Sequence, residues 1–375
     1  MGKTLAASFT FAGTIIGAGV LGIPAALSSN GFLVGSLILL AVGAVSLLIS
    51  LMLGEVVLRT KDPHQLPGLA EKYAGKNVKK IAMVFSVLSI YGAVIAYLHG
   101  SGLVISGLFG VETSLARLIF FLPLAVVTYF GIRGVEESET VLTGLLILCI
   151  VLLSAGALFF FDPANIRAAS LSNILLPVGI LIFAFEGLPA IPEMKEILWK
   201  EKKSLKKSIM LGFSIPLIAY LMFTLACIGA LGQNIGEVAT LSLSQYGGFF
   251  LLFGNIFALF AMATGFIALS NALAEIYCQD LRVCRRRAWL LSTVAPLFML
   301  LAIDIISAAN FTKILSYTGT LFIGPYMLMV VYVFWRAKTR GERTPEYEIK
   351  VPRFVSRAIM GALLLVSVWG ILSFL

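Results

Sequence analysis

Charge is what this sequence has least of: Asp, Glu, Lys and Arg make up 13% of its 375 residues, against about 25% in an ordinary soluble domain. A water-soluble protein wraps its core in a charged shell, and too few charges are present here to make one. That excludes a soluble enzyme. Histidine is rarer still, with two residues in all, and no cysteine or acid stands beside either at the spacing of a zinc site, so no metal centre is expected. The four cysteines are not a disulfide framework: Cys149 and Cys227 lie inside apolar runs, and Cys278 and Cys284 flank a basic loop. Paired acids within the apolar stretches are also missing, which leaves a membrane-embedded hydrolase without its chemistry.

Apolar residues are present in excess, at 59%, so the chain is solvated by lipid. A spanning helix needs roughly 20 apolar residues. The uncharged run from Thr4 to Gly54 holds two spans, divided at the turn-like Ser28-Ser29-Asn30-Gly31. Further spans are expected at about 81–110, 115–132, 140–161, 171–194, 208–231, 246–277, 288–304, 311–335 and 356–375, eleven in all. The first run is too long, and too poor in basic residues ahead of it, for a secretory signal.

The net charge of +9 would suggest nucleic acid in a soluble protein; in a membrane protein it reports orientation. All but Arg117, Arg167 and Lys313 of the 28 Lys and Arg residues fall in connections on the side of the N-terminus. By the positive-inside rule the N-terminus is cytoplasmic, and an odd number of spans puts Leu375 outside. The expected setting is the cell membrane, crossed many times, with lipid as a partner, no nucleic acid, and a monomer or weak homo-oligomer. Outer loops such as Gly110-Val111-Glu112-Thr113 are too short for an extramembrane catalytic domain.

Two segments break the helical pattern. Span 1 carries Gly13-Thr14-Ile15-Ile16-Gly17-Ala18-Gly19-Val20-Leu21-Gly22-Ile23-Pro24, and span 6 carries Phe183-Ala184-Phe185-Glu186-Gly187-Leu188-Pro189-Ala190-Ile191-Pro192. In each, Gly is followed five residues later by Ile-Pro, from Gly19 to Pro24 and again from Gly187 to Pro192. Such breaks survive in a membrane only where protein, water or ligand takes up the freed backbone groups. Spans 1 and 6 open two five-span units, and an odd number of spans inverts the second unit relative to the first. The expected divisions are residues 1–161 and 162–336 for the two halves, with 337–375 as a cytoplasmic loop and a last span. Matched breaks of this kind point to a transporter site at the midplane. The free N–H groups near Ala18 and Gly19 suit a carboxylate, and free carbonyls near Ile15, Phe183 and Ala184 suit an ammonium, so a zwitterionic amino acid fits.

No Lys or Arg is expected deep in a span. Of the acids in apolar stretches, Glu55 and Glu275 are close to interfacial charges and read as structural, whereas Glu186 sits in the break itself. An unpaired carboxylate there is costly unless protonated, paired or hydrated, which makes Glu186 a candidate proton carrier or a cap for loose backbone. His99 is a second titratable group. Thr264, Ser270 and Asn271 in span 8 either line a cavity or bond back to their own helix. Tyr97, Phe183, Leu188 and Asn271 are candidate pocket walls.

The span 1 motif resembles the opening motif of the amino acid/auxin permease and aromatic amino acid permease families, in the amino acid–polyamine–organocation superfamily. Phe183-Ala184-Phe185-Glu186-Gly187 with Pro192-Glu193-Met194 resembles the sixth-helix motif of the amino acid/auxin permeases, and Leu69 to Gly75 and Ile215 to Tyr220 are weaker matches. The resemblance implies an all-α integral membrane protein with a five-plus-five inverted-repeat (LeuT-like) core and one additional C-terminal helix. It also implies that the backbone of Gly17, Ala18 and Gly19 meets the substrate carboxylate, and that carbonyls of Ile15, Phe183, Ala184 and Glu186, beside Gly187, meet the ammonium. Phe183 would be an aromatic gate. A cation position would use Gly13, Ile16, Ala261 and Thr264, but Gly265 stands where a second hydroxyl is expected, and span 5 lacks the lysine that replaces sodium in some relatives. The expected function is a symporter importing a neutral, apolar or aromatic amino acid by alternating access. H⁺ at Glu186 is the coupling ion, with no cofactor. A sodium-coupled carrier or exchanger is the alternative, and a non-transporting amino acid sensor the second.

Overall fold

The computed structural model describes residues 2–62, 64–130, 135–166, 170, 174–279, 281–306 and 310–374; Arg133 and Arg167, two of the counted loop charges, lie outside them. Among the described residues, regular structure is helical. In chain order the helices are α1 (Lys3–Ile15), α2 (Gly19–Ser28), α3 (Phe32–Arg59), α4 (Leu66–Ala74), α5 (Lys76–Phe109), α6 (Thr113–Phe130), α7 (Val135–Leu158), α8 (Leu175–Ala184), α9 (Ala190–Ile197), α10 (Leu205–Leu231), α11 (Ala239–Leu243), α12 (Asn255–Gln279), α13 (Arg285–Trp289), α14 (Ala295–Ile306), α15 (Phe311–Tyr317), α16 (Gly324–Arg340) and α17 (Arg353–Phe374). Among the described residues nine helical stretches are long and apolar enough to cross a membrane, and α1 with α2 form a tenth, bent by 56°. The expected sixth span is two short helices, α8 and α9, separated by Phe185 to Pro189.

The expected turn between the first two spans is present: α2 stops at Ser28, and Gly31, at φ +76°, starts α3. A positive φ costs glycine little and other residues much. Two features did not show in the hydropathy. The basic loop after span 2 contains the amphipathic helix α4, stopped by Gly75 at φ +99°. Spans 8, 9 and 10 each contain a π-helical turn, at Phe250–Gly254, Leu290–Val294 and Thr318–Ile323.

The core is the zone where the broken helices cross, lined by Phe11, Phe185, Phe213 and Tyr220, all essentially fully buried. Lipid-facing sides carry exposed Leu, Ile and Phe on α6, α12 and α17, as expected of helices solvated by hydrocarbon. At one face the basic connections gather around residues 341–352. Lys195 donates to the carbonyls of Thr60 and Lys61, Arg340 to that of Tyr73 and Arg343 to that of Leu58. Glu55, with no exposed side-chain surface, pairs with Arg59 at 2.8 Å and Lys338 at 3.5 Å and accepts the Ile349 N–H. Its expected structural role is therefore explicit, while Glu275 is exposed. At the opposite face Glu237 accepts from the Asn310 side chain at 2.5 Å and from the Phe311 N–H at 2.6 Å, holding the connection after α10 over the start of α15.

Arg117, expected on the face opposite the basic loops, is buried: it is 4% exposed within the first turns of α6, paired with Asp304 of α14 and donating to His99 Nδ1 of α5 at 2.8 Å. The buried charge is tolerated because a carboxylate and an imidazole face it.

Candidate functional site

The two breaks meet. A Cβ at Gly19 would lie 2.6 Å from Ala184 Cα and 2.7 Å from its Cβ, so the first residue of α2 touches the last residue of α8 backbone to backbone. A Cβ at Gly187 would lie 2.7 Å from Ile15 Cγ1 and from Phe11 Cε2, so the second break rests on the end of α1. Each interrupted span thus lays its gap against the other's helix end, and only glycine permits that separation. Ile15, Ala18, Phe183, Ala184, Gly17, Gly19 and Gly187 are all buried, Ala18 completely and Phe183 to within 6%.

The backbone at the breaks has the polarity expected of free helix ends. α1 closes with the Ile16 N–H on the Ala12 carbonyl at 2.9 Å, and α2 opens with the Leu21 N–H on the Ala18 carbonyl at 3.1 Å. Among the described residues the N–H groups of Gly17 and Ala18 find no backbone acceptor. They are the donors a carboxylate would take. In the second break the Glu186 side chain carries a buried Oε2 that has no hydrogen-bond partner.

Tyr97 is brought to the centre by α5. Its ring lies in a slot between two glycines, Gly17 in the first break and Gly265 on α12: a Cβ at Gly17 would be 2.9 Å from its Oη, and one at Gly265 would be 2.7 Å from Cε2 and 2.9 Å from Oη. The departure from the sodium pattern at Gly265 therefore has a steric reason, since a serine there would collide with Tyr97. Of the other cation-position residues, Thr264 turns its hydroxyl back onto its own helix, on the carbonyls of Phe260 and Ala261 at 3.1 Å. Gly13 packs against the Thr143 hydroxyl of α7. Thr143 is a polar group of span 5 that nothing in its apolar run marks out.

Tyr220 is the residue whose role the sequence did not reveal. Its hydroxyl, fully buried on α10, donates toward the Ile15 carbonyl at 2.8 Å and the Ala184 carbonyl at 3.1 Å, two of the groups assigned to the substrate ammonium. The signal available was the spacing Ser208, Gly212, Pro216, Tyr220 along one face of α10, all buried, which marks the face packed on α1.

The sequence model of the tryptophan/tyrosine permease family matches residues 1–370. The chain is 26% identical to the tyrosine-specific transport system 1 of Haemophilus influenzae, over 92% of this chain and 91% of that one. It is 24% identical to glutamine transporter 2 of Aliivibrio fischeri, over 91% of each, and 31% identical to the tyrosine-specific transport system 2 of Haemophilus influenzae over 62% of this chain and 59% of the relative. Among solved structures, MhsT in complex with L-phenylalanine superposes with a TM-score of 0.75, covering 97% of this chain and 98% of the other at 14% identity, which shows a common LeuT-like fold.

Proposed function

Because the chain belongs to the tryptophan/tyrosine permease family, a family of multi-pass membrane carriers and not of enzymes, we propose that it imports a neutral aromatic amino acid, tyrosine foremost, in symport with a proton. The observation that carries this reading is the contact of the two breaks, which sets unpaired N–H groups of Gly17 and Ala18 near the carbonyl end of α8 at Ala184. An α-amino acid presents both complementary charges on one carbon, and its aromatic side chain would lie among Tyr97, Phe183 and their neighbours. An aromatic substrate is favoured over glutamine by the apolar lining and by the names of most relatives, which are tryptophan or tyrosine transporters, and tyrosine by the two Haemophilus influenzae relatives described above; one relative of similar identity is a glutamine transporter.

Proton coupling is supported by the buried, partnerless Oε2 of Glu186 and by the obstruction of the second hydroxyl position at Gly265. α8 and α9 read as one interrupted span bring the count to eleven, with the N-terminus cytoplasmic and the C-terminus outside; the gathering of basic connections on one face supports this orientation. Transport then proceeds by rocking about the crossing of spans 1 and 6. Proteoliposomes holding the full chain test the proposal: labelled tyrosine should accumulate under an inward proton gradient, compete with tryptophan and phenylalanine more strongly than with glutamine, and exchange in counterflow without a gradient. Accumulation that follows a sodium gradient and ignores a proton gradient would overturn the coupling. Preference for glutamine would overturn the substrate.

A further inference from the structure

Two helix ends of the same sign face each other at the crossing. The last carbonyls of a helix have no partner within it and carry the negative end of its dipole; Ile15 closes α1 and Ala184 closes α8. Burying both in one apolar zone leaves two partial negative charges side by side, a costly arrangement without a positive partner. In a membrane carrier that partner could be a bound cation or part of a ligand. Here the protein supplies it: the Tyr220 hydroxyl reaches Ile15 O at 2.8 Å and Ala184 O at 3.1 Å. A phenol has one proton to share between them.

The placement is built, not incidental. α10 runs parallel to α1 in a fixed register: Ser208 Oγ donates to the Thr4 carbonyl at 3.0 Å, and a Cβ at Gly212 would lie 2.6 Å from the Ser8 carbonyl. Continuing that register carries Tyr220 to the end of α1. From the side, the ring leans on Phe185 of the second break at 5.4 Å between centroids, Phe185 stacks on Phe213 at 5.1 Å, and Phe213 meets Phe11 at 6.4 Å. Backbone contact along α10 sets the height of the hydroxyl, and the aromatic column sets its direction.

We propose that Tyr220 is the positioning residue of the carrier, its hydroxyl holding the two broken spans in binding geometry and standing where a cation would otherwise be needed between their carbonyl ends. The inference deepens the function proposed above and rests on it for the transport readout. It predicts that the free protein is indifferent to sodium at this end of the site, and that removing the hydroxyl creates a sensitivity the native chain lacks.

Tyr220→Phe keeps the ring and its stack and removes the hydroxyl alone. In proteoliposomes its KM for tyrosine should rise about tenfold or more in choline medium, as expected of buried acceptors left unpaired, with Vmax changed far less. Sodium should recover part of the lost affinity in the variant and leave the wild type unaffected. Ser214→Ala, which removes a hydroxyl bonded only within α10, to the Met210 carbonyl at 2.7 Å, should leave KM unchanged. A Tyr220→Phe KM equal to wild type in choline, a KM rise that sodium leaves untouched, or an equal KM rise in Ser214→Ala would overturn the proposal. A second arm needs no transport: thermal unfolding of the detergent-solubilised chain should be unaffected by exchanging choline for sodium in the wild type and raised by sodium in Tyr220→Phe. Sodium stabilisation of the wild type would also overturn it. A wild type that exchanges no amino acid would sink the transport reading alone, and the thermal arm would still decide Tyr220.

Discussion

Adding one methyl group at Gly19 tests the crossing of the broken spans most directly. Gly19 is the first residue of α2, where alanine is intrinsically the better helix former by about 1 kcal/mol. Against that gain, the new Cβ would sit 2.6 Å from Ala184 Cα and 2.7 Å from its Cβ, whereas carbon atoms rest at about 3.5–4.0 Å. The obstacle is main chain and cannot rotate away, so α2 and α8 must part by about 1 Å. Overpacking of this kind costs about 1–3 kcal/mol, which leaves a net loss of stability of about 0–2 kcal/mol. The effect on binding should be larger than the effect on stability, because the displaced groups are the free N–H and carbonyl ends themselves, and misplacement of about 1 Å in a preorganised site can cost about a hundredfold. Gly22→Ala is the matched control. It adds the same methyl three residues later in the same helix, but meets the Leu315 Cδ1 terminus at 2.7 Å and little else within 3.6 Å, a flexible tip that can turn aside. Gly19→Ala should raise the KM for tyrosine uptake by about ten- to a hundredfold with a modest fall in unfolding temperature, and Gly22→Ala should be close to wild type in both. Equal behaviour of the two variants, or wild-type KM in Gly19→Ala, would refute the geometry argued for the crossing.

Other consequences follow from the same contacts. Glu186→Gln should lower proton-driven uptake more than gradient-free counterflow; equal loss in the two assays would make Glu186 an organiser of the site and not a proton carrier. Gly265→Ser should weaken tyrosine binding by pushing on the Tyr97 ring, which a Cβ would approach to 2.7 Å, and should not confer sodium-dependent uptake. Glu55→Ala removes the fully buried acid shared by Arg59, Lys338 and the Ile349 N–H and should cost about 3 kcal/mol in denaturant or thermal unfolding. Glu348→Ala, whose side chain is 55% exposed in its pair with Arg59, should cost less than about 1 kcal/mol. Exposed Cys284, in a basic connection, should react with a membrane-impermeant maleimide in inside-out vesicles and stay protected in right-side-out ones; the reverse pattern would invert the orientation.

The spans were legible because lipid imposes a simple rule, a long apolar stretch with every backbone group bonded within its own helix, and the helix from Phe32 to Arg59 or from Leu205 to Leu231 satisfies it within a few residues of the expected limits. The breaks were legible for the opposite reason: Gly17-Ala18-Gly19 and Glu186-Gly187 violate the rule in corresponding places. The burial of Arg117 is not legible in the sequence because its partners, His99 and Asp304, come from α5 and α14, and the three helices close around it only in the folded chain. The π-helical turns escaped notice because one extra residue in a turn barely alters an apolar run that is hydrophobic all round. Thr143 and Tyr220 are ordinary residues in ordinary helices until their neighbours are known.

By itself the sequence determined the solvent, the approximate spans, the side on which the basic loops gather and the two positions at which helices must stop, since each depends on local composition and on backbone chemistry that cannot be satisfied in hydrocarbon. Only the tertiary structure decided what the stopped ends face: Gly19 against Ala184, Tyr97 in the slot between Gly17 and Gly265, and the single proton of Tyr220 between the carbonyls of Ile15 and Ala184. Those partners are separated by up to 205 positions along the chain, and the register of one helix on another, set by packing, brings them within hydrogen-bonding reach or van der Waals contact.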